Sequence, residues 1–106
     1  MANTYITPTG VTLGTGETTV FTATTETMLM VRFSNVDTVT RNLNAFLYTG
    51  GGPGADATRL VPLDFPLGSG QQLELGPLYL PSGYTVTATA SSANKINAIP
   101  NGIATT

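Results

Sequence analysis

The stretch Leu80–Ala98, with the sequence LPSGYTVTATASSANKINA, decides the predicted fold. Within Tyr84–Ala90, apolar residues alternate with threonines, which is the period-two pattern of a strand with one buried face. Pro81-Ser82-Gly83 precedes this strand as a turn, because proline fixes φ and glycine permits unusual backbone angles. Ser91–Asn94 interrupts the alternation and Lys95–Ile99 resumes it. The stretch therefore predicts two strands joined by a short loop as an antiparallel hairpin.

The composition favours β structure throughout the chain. The 106 residues correspond to one domain, and 9% of them are charged, well below the usual value of about 25%. Twenty residues are threonine, whose β-branched side chain suits a half-exposed pleated surface. No long window repeats apolar residues at helical spacing.

Other alternating segments extend the pattern in both directions. Met28–Val36 is the strongest predicted strand, with Leu29, Val31 and Phe33 on one face and two methionines on the other. In Thr18–Thr22, Val20 is predicted to face away from Thr19 and Phe21. In Arg41–Thr49 the inward residues are Leu43, Ala45 and Leu47 and the outward residues include Phe46 and Tyr48. Gln71–Leu75 is a further strand, which Gly76-Pro77 is predicted to end in a turn.

About eight short strands, separated by glycine- or proline-bearing turns, are typical of a β-sandwich or barrel. The sequence therefore predicts an all-β, single-domain antiparallel β-sandwich of jelly-roll type, with an immunoglobulin-like sandwich as the alternative. Residues 1–10 are predicted as an N-terminal arm and residues 11–106 as the sandwich domain. The arm is expected to dock on a neighbour or to add a strand to a sheet.

Gly50–Ala57 (GGGPGADA) is predicted to be a loop. A phosphate-binding P-loop requires a Lys-Ser/Thr pair after the glycines, and none follows here.

The chain offers few groups for catalysis. It contains neither histidine nor cysteine, and these residues supply the commonest general base, the thiol nucleophile and the preferred transition-metal ligands. The carboxylates are predicted to lie at turns or on outward faces, where they are solvated: Glu17, Glu26, Asp37, Asp56, Asp64 and Glu74. We therefore expect no enzymatic activity, no metal site and no cofactor.

The charge distribution argues against binding to nucleic acid, and the short apolar runs argue against a membrane span. The net charge is −2, and the four basic residues (Arg32, Arg41, Arg59 and Lys95) are scattered, whereas nucleic-acid binding requires clustered cations. No uninterrupted apolar run is longer than the four residues of Met28–Val31, which is too short to span a bilayer. The N-terminal residues have no apolar secretory segment, so folding in a cytosol is expected.

Four features in order carry a resemblance to a known group of proteins. They are Met28–Asn35 (MLMVRFSN), the glycine-rich loop followed by Arg59-Leu60-Val61, Gly68–Leu75 (GSGQQLEL), and Leu80–Asn97. The chain resembles small β proteins encoded among the virion genes of tailed bacteriophages, whose last block is similar to L-x-x-G-D-x-I-x-A-x-A-S-x-A-N-x-V-N. Gly102 matches a glycine near the C-terminus of that group, and Tyr84 departs from the usual aspartate.

The resemblance implies a structural role in the virion and supplies no catalytic residues. The leading hypothesis is a capsid decoration or cement protein on the outer surface of the phage head. It would form a homo-oligomer, a dimer or trimer, and bind the major capsid protein through many weak contacts. The predicted contacts are the arm residues and two outward aromatics, because aromatic anchors dominate interface energies: Tyr5, Ile6, Pro8, Phe46 and Tyr48.

The alternative hypothesis is a tail or head-fibre component that binds glycans or another host-surface group. Exposed aromatic rings can stack on sugar rings, and Tyr48, Tyr79 and Tyr84 are available.

Overall fold

The computed structural model describes residues 3–49 and 58–105, which form nine strands in two sheets. The predicted loop Gly50–Ala57 lies outside the described residues. The larger sheet has the order β1-β9-β4-β7, with β2 also paired to β9, and the smaller has the order β3-β8-β5-β6. The strands are β1 (Asn3–Ile6), β2 (Val11–Thr12), β3 (Thr18–Thr22), β4 (Thr27–Asn35), β5 (Arg41–Thr49), β6 (Phe65–Leu67), β7 (Gln72–Leu80), β8 (Tyr84–Ala90) and β9 (Ile96–Thr105).

The strand pairs are nested along the sequence. Strand β5 pairs with β6, β4 with β7, β3 with β8, and β2 with β9, all antiparallel. Two further pairings, β4 with β9 and β5 with β8, complete the sheets. This order is that of a jelly roll, an eight-stranded ribbon folded over on itself, and not the order of an immunoglobulin-like sandwich. The predicted all-β, jelly-roll-like sandwich is confirmed.

The core lies between the two sheets and is formed by the alternate residues that the pattern predicted to face inward. Burial of these side chains from both sheets at once is what holds the layers together. The buried set includes Leu29, Val31 and Phe33 of β4, Leu43 and Ala45 of β5, Val86, Ala88 and Ala90 of β8, and Ile96 and Ala98 of β9.

The predicted hairpin of β8 and β9 is wrong. The two strands belong to different sheets, and the connection between them carries the chain across the end of the sandwich. Asn94 in this connection adopts a φ of 65°, a left-handed conformation that asparagine tolerates. Its N–H donates to the carbonyl of Leu13 at 3.0 Å. Ala90 and Ile96 therefore bury their side chains from opposite layers and not side by side.

The predicted turn at Gly76-Pro77 is also wrong. Strand β7 continues through this pair, and the β4–β7 register shifts between Leu29 and Val31, which marks a bulge. Gly76 has a φ of 125°, and a Cβ there would lie 2.7 Å from the carbonyl oxygen of Leu29. Glycine and proline are thus tolerated in an edge strand, where they form an irregularity and not a chain reversal.

A second bulge changes the prediction for β3. The β3–β8 register shifts between Thr19 and Phe21, so Val20 is an extra residue. Val20 is buried and Phe21 packs against the core, although strict alternation placed them on opposite faces. The inserted residue breaks the period of two and lets both side chains approach the interior.

The predicted arm contributes a strand to the larger sheet of its own chain. Strand β1 pairs with β9 from Asn3↔Thr105 to Ile6↔Gly102. Of the two placements expected for the arm, the structure has the strand added to a sheet. Pro8 lies in the exposed connection between β1 and β2.

Candidate interaction surface

Four exposed apolar side chains lie in register across the outer face of the larger sheet. Tyr5 on β1 is opposite Ile103 on β9, Ile103 is opposite Met28 on β4, and Met28 is opposite Tyr79 on β7. We call these four residues the apolar row. Since neighbouring strands lie about 4.8 Å apart, the row extends about 14 Å across the sheet.

The row is outward-facing because its neighbours along each strand face inward. Thr27 and Leu29 on either side of Met28 are buried, and so is Leu80 beside Tyr79. The four side chains remain considerably exposed: 81% for Tyr5, 55% for Tyr79, 46% for Met28 and 39% for Ile103. Contiguous exposed apolar side chains are a feature of interaction surfaces, so the row is the candidate contact surface.

The same face carries little net charge beside the row. Arg32 of β4 and Glu74 of β7 are directly opposite, and Arg32 Nη2 lies 2.6 Å from Glu74 Oε1. Arg32 is also opposite Ile99 of β9, which is exposed. The pair is solvent-exposed and contributes little to stability, but the two charges compensate each other. Arg32 and Glu74 therefore add no net charge to this face.

An open cleft of about 230 Å³ lies beside the apolar row and is lined by three of its members, Met28, Tyr79 and Ile103. Its lining includes the polar residues Glu26 and Asn3. The pKa of the Tyr79 phenol is raised above its ordinary value, because the sheet removes part of its water shell and the Glu26 carboxylate lies nearby. The cleft thus combines an aromatic face with hydrogen-bonding groups.

The outer face of the smaller sheet is different, because its aromatic residue is covered. Phe46 points outward from β5 but is only 7% exposed. Arg59 forms a bridge with Phe46 on the side of β5 that also pairs with β6, and its guanidinium lies 5.0 Å from the centre of the Phe46 ring. This distance is typical of a cation–π contact.

Asn44 fixes the segment that covers Phe46. Its side-chain oxygen accepts hydrogen bonds from Nη1 of Arg59 and from the N–H of Asp64 at 2.9 Å. Its side-chain nitrogen donates to Asp64 Oδ1 at 2.9 Å. Asp64 adopts a φ of 50°, and the bonds to Asn44 support this left-handed turn.

Glu17 forms hydrogen bonds with two side chains on the outer face of the smaller sheet. Its carboxylate oxygen accepts a hydrogen bond from Thr87 at 2.6 Å and another from the hydroxyl of Tyr48 at 3.2 Å. Thr87 is buried, so Glu17 satisfies a hydroxyl that would otherwise lack a partner. Tyr48 is half-buried, and its hydroxyl is engaged within the chain.

The five predicted contact residues occupy different environments. Tyr5 lies in the apolar row, Ile6 packs against the core, and Pro8 is exposed between β1 and β2. Phe46 and Tyr48 lie together on the smaller sheet, where Phe46 has little surface left for a partner. Their role as contacts stays a prediction.

Sequence reasoning identified Tyr79 as an aromatic available for glycan stacking, but it missed Met28 and Ile103 as contact residues. Met28 was assigned to the outward face of β4 but not recognised as a contact residue. The signal that could have found the row is the period-two position of Met28, Tyr79 and Ile103 in their own strands. Their alignment, however, depends on a register that involves four strands.

The described carboxylates are distributed over both faces and the connections. Asp37 lies between β4 and β5, where its Oδ1 accepts from the N–H of Thr38 at 2.7 Å and its Oδ2 from Nε of Arg41 at 2.6 Å. These two interactions, in that order, lower the pKa of Asp37 below its ordinary value. Residues 3–49 and 58–105 contain no group of three or more acidic side chains placed to hold a metal ion. Within the same residues, no helix has the length and apolar character needed to cross a membrane.

Comparison of the chain with protein-family models, with curated proteins and with solved structures found no match.

Proposed function

We propose that this protein is a decoration protein of a phage head, which binds the major capsid protein through the outer face of its larger sheet. The observation that carries the proposal is the apolar row Tyr5–Ile103–Met28–Tyr79, exposed and in register across four strands. The sequence resemblance to small virion proteins of tailed phages supports the location on a phage particle. The apolar row supports the choice of the binding surface. The protein acts by fitting against repeated neighbours, with no catalytic residue and no cofactor.

The chemistry of this face suits a protein partner. The row is apolar, and Arg32 and Glu74 on the same face are already paired, so contact there desolvates no unpaired charge. Each contact is small, and attachment depends on many copies binding to a repeated lattice. Because such a protein binds the assembled shell and not separate subunits, binding shifts the equilibrium toward the intact shell.

The first test counts copies in virions of the phage that encodes the chain. Quantitative mass spectrometry against the major capsid protein should find the protein in hundreds of copies in each particle, as a decoration lattice requires. A few copies in each particle would indicate a tail or fibre component. Absence from purified particles would overturn a virion role.

The second test asks whether the apolar row makes the contact. Particles from a gene-deleted phage are mixed with purified wild-type protein or with the double variant Met28→Ser, Ile103→Ser, and bound protein is measured after sedimentation. The variant should lose most of its occupancy. Leu63→Ser is the matched control, since Leu63 is 67% exposed and lies outside the row. Equal occupancy of the double variant and the wild type would remove the row from the proposal.

A second candidate function is glycan binding by a tail or head-fibre component, and the cleft at Tyr79 favours it. Tyr79 is more exposed than Tyr48 and Tyr84, which are half-buried. Glu26 and Asn3 line the same cleft, and carboxylate and amide groups are suited to binding sugar hydroxyls while the ring stacks on the sugar face.

This candidate is tested on a glycan array with the wild type and three variants. A glycan ligand should be retained by Tyr79→Phe, which keeps the ring, and lost by Tyr79→Ala and Glu26→Gln. Absence of any glycan signal from the wild type excludes this candidate. The variant Glu26→Gln can also be tested in the sedimentation assay with phage particles. Glu26 lies outside the apolar row, so loss of particle binding in this variant would argue against a contact made by the row alone.

A further inference from the structure

Strand β1 is attached to the molecule almost entirely through its backbone. It pairs with β9 and with no other strand described, and Asn3, Thr4 and Tyr5 are exposed while only Ile6 is half-buried. Burial of apolar side chains is the main force that holds a strand in a sheet. Strand β1 therefore has a weaker hold on its own chain than the strands of the core.

The connection that follows β1 is not tied into the sandwich. Thr7, Pro8, Thr9 and Gly10 are all exposed, and the hydrogen bond of the Thr9 hydroxyl is local, to the carbonyl of Thr7 at 3.4 Å. Proline has no N–H for a strand ladder, and it restricts the residue before it to extended conformations. The connection therefore favours an extended path.

Firm anchoring begins immediately after this connection. Val11 packs against the core, and Leu13 is fully buried. The N–H of Leu13 donates to the carbonyl of Ile96 at 3.0 Å. Strand β2, which pairs with the same edge of β9 as β1 does, is thus held by its own side chains. Residues 7–10 separate a weakly held strand from a firmly held one.

We propose that β1 is exchanged between copies of this chain, so that β1 of one molecule pairs with β9 of a neighbouring molecule in the register Tyr5↔Ile103. Exchange between identical chains preserves every backbone hydrogen bond and every contact of the strand. It therefore requires little more than the entropy of association, which makes it a low-cost route to an oligomer. The edge of β9 then pairs with β1 of a second copy of the chain. In this arrangement Tyr5 of the apolar row comes from one molecule, and Ile103, Met28 and Tyr79 come from the other. This inference does not depend on a role in a phage head.

The test uses the absence of cysteine from the chain, which makes introduced cysteines the only reactive thiols. A chain carrying both Tyr5→Cys and Ile103→Cys is treated with a short bis-maleimide that spans directly opposed positions. Exchange predicts covalent dimers or closed rings, with almost no internally linked monomer. A chain carrying Tyr5→Cys mixed during refolding with one carrying Ile103→Cys should give covalent heterodimers.

The control is the pair Thr12→Cys, Asn97→Cys, which joins β2 to β9 and should link within one chain in the same preparation. A Gly-Ser-Gly-Ser insertion after Thr9 lengthens the connection, and the inserted chain carrying Tyr5→Cys and Ile103→Cys should shift to internal links. Predominant internal linkage in the uninserted double variant, with no heterodimer from the mixture, would overturn the proposal. Dimerisation through the outer faces alone would leave the internal link intact, so the two arrangements are distinguished.

Discussion

The two sheets of this sandwich both carry aromatic side chains on their outer faces, but these side chains are covered on one sheet and exposed on the other. On the smaller sheet, the ring of Phe46 lies beneath Arg59 and is 7% exposed. On the larger sheet, no described segment crosses Tyr5 or Tyr79, which are 81% and 55% exposed. Whether an outward aromatic side chain is buried or exposed therefore depends on whether another segment of the chain packs over it.

Charged groups also differ between the two faces. On the smaller sheet they cover apolar and hydroxyl groups: Arg59 lies over Phe46, and Glu17 accepts from Thr87. On the larger sheet, Arg32 and Glu74 pair with each other and leave the apolar row open. Substitutions of outward side chains should consequently affect stability on the smaller sheet and partner binding on the larger one.

The largest effect is expected at Gly102, which lies beside the apolar row. Gly102 has a φ of 150°, and a Cβ there would clash with the carbonyl oxygen of Met28. Gly102→Ala should lower the free energy of unfolding by about 3 kcal/mol or more, because β9 and β4 must move apart. Urea unfolding measures this effect. Gly16→Ala, with no atom within 4 Å of the added methyl group, is the control and should change it by less than about 0.5 kcal/mol.

The next effect compares the two aromatic environments directly. Phe46→Ala should lower the free energy of unfolding by about 3 kcal/mol, since a buried ring and its contact with Arg59 are lost. Tyr79→Ala should change it by less than about 0.5 kcal/mol, since the ring is mostly exposed. Urea unfolding of the two variants beside the wild type measures both. Similar losses in the two variants would contradict the contrast between a covered and an open face.

A smaller effect is expected where Glu17 covers the smaller sheet. Thr87→Val keeps the shape of the side chain but removes the hydroxyl that donates to Glu17, and should lower the free energy of unfolding by about 1.5 kcal/mol. Thr22→Val is the matched control, because the hydroxyl contact of Thr22 with Thr85 is exposed. If both variants unfold at the same urea concentration, Glu17 does not act as a structural partner of Thr87.

The smallest effect concerns Asp37, in the connection between the two sheets. Hydrogen bonds from Thr38 and Arg41 lower the pKa of its carboxyl group below the ordinary value of 3.8. The charged form is thus favoured in the folded chain, and its stabilisation is present above pH 3.8 and lost as the pH falls through the folded pKa. The stability difference between the wild type and Asp37→Asn should therefore be greatest near neutral pH and shrink in the acid range. A difference that is independent of pH in urea unfolding would contradict this assignment.

The sequence predicted well which residues of each strand face the core, because each core strand buries one face and exposes the other. Leu29, Phe33 and Ala88 were predicted to face inward and are buried. The partners of the strands were harder to predict, since pairing depends on residues far apart in the chain. This is why β8 and β9 were predicted as a hairpin, although the connection after Ala90 crosses between sheets.

Local breaks in the pattern also escaped prediction. A bulge at Val20 and another opposite Met30 each shift the register by backbone irregularity, which alternation does not represent. The apolar row was beyond prediction for a related reason. Its four members come from four strands, and only the register of three pairings brings Tyr5, Met28 and Tyr79 onto one line.

The nested pairing has a consequence for synthesis on the ribosome. Strand β9 is the partner of β1, β2 and β4, so the larger sheet stays incomplete on the growing chain until β9 has been translated. The smaller sheet needs only strands up to β8 and can close earlier. We therefore expect the smaller sheet to form before the larger sheet. The apolar row is then complete only after β9 has been translated, because Ile103 lies on that strand.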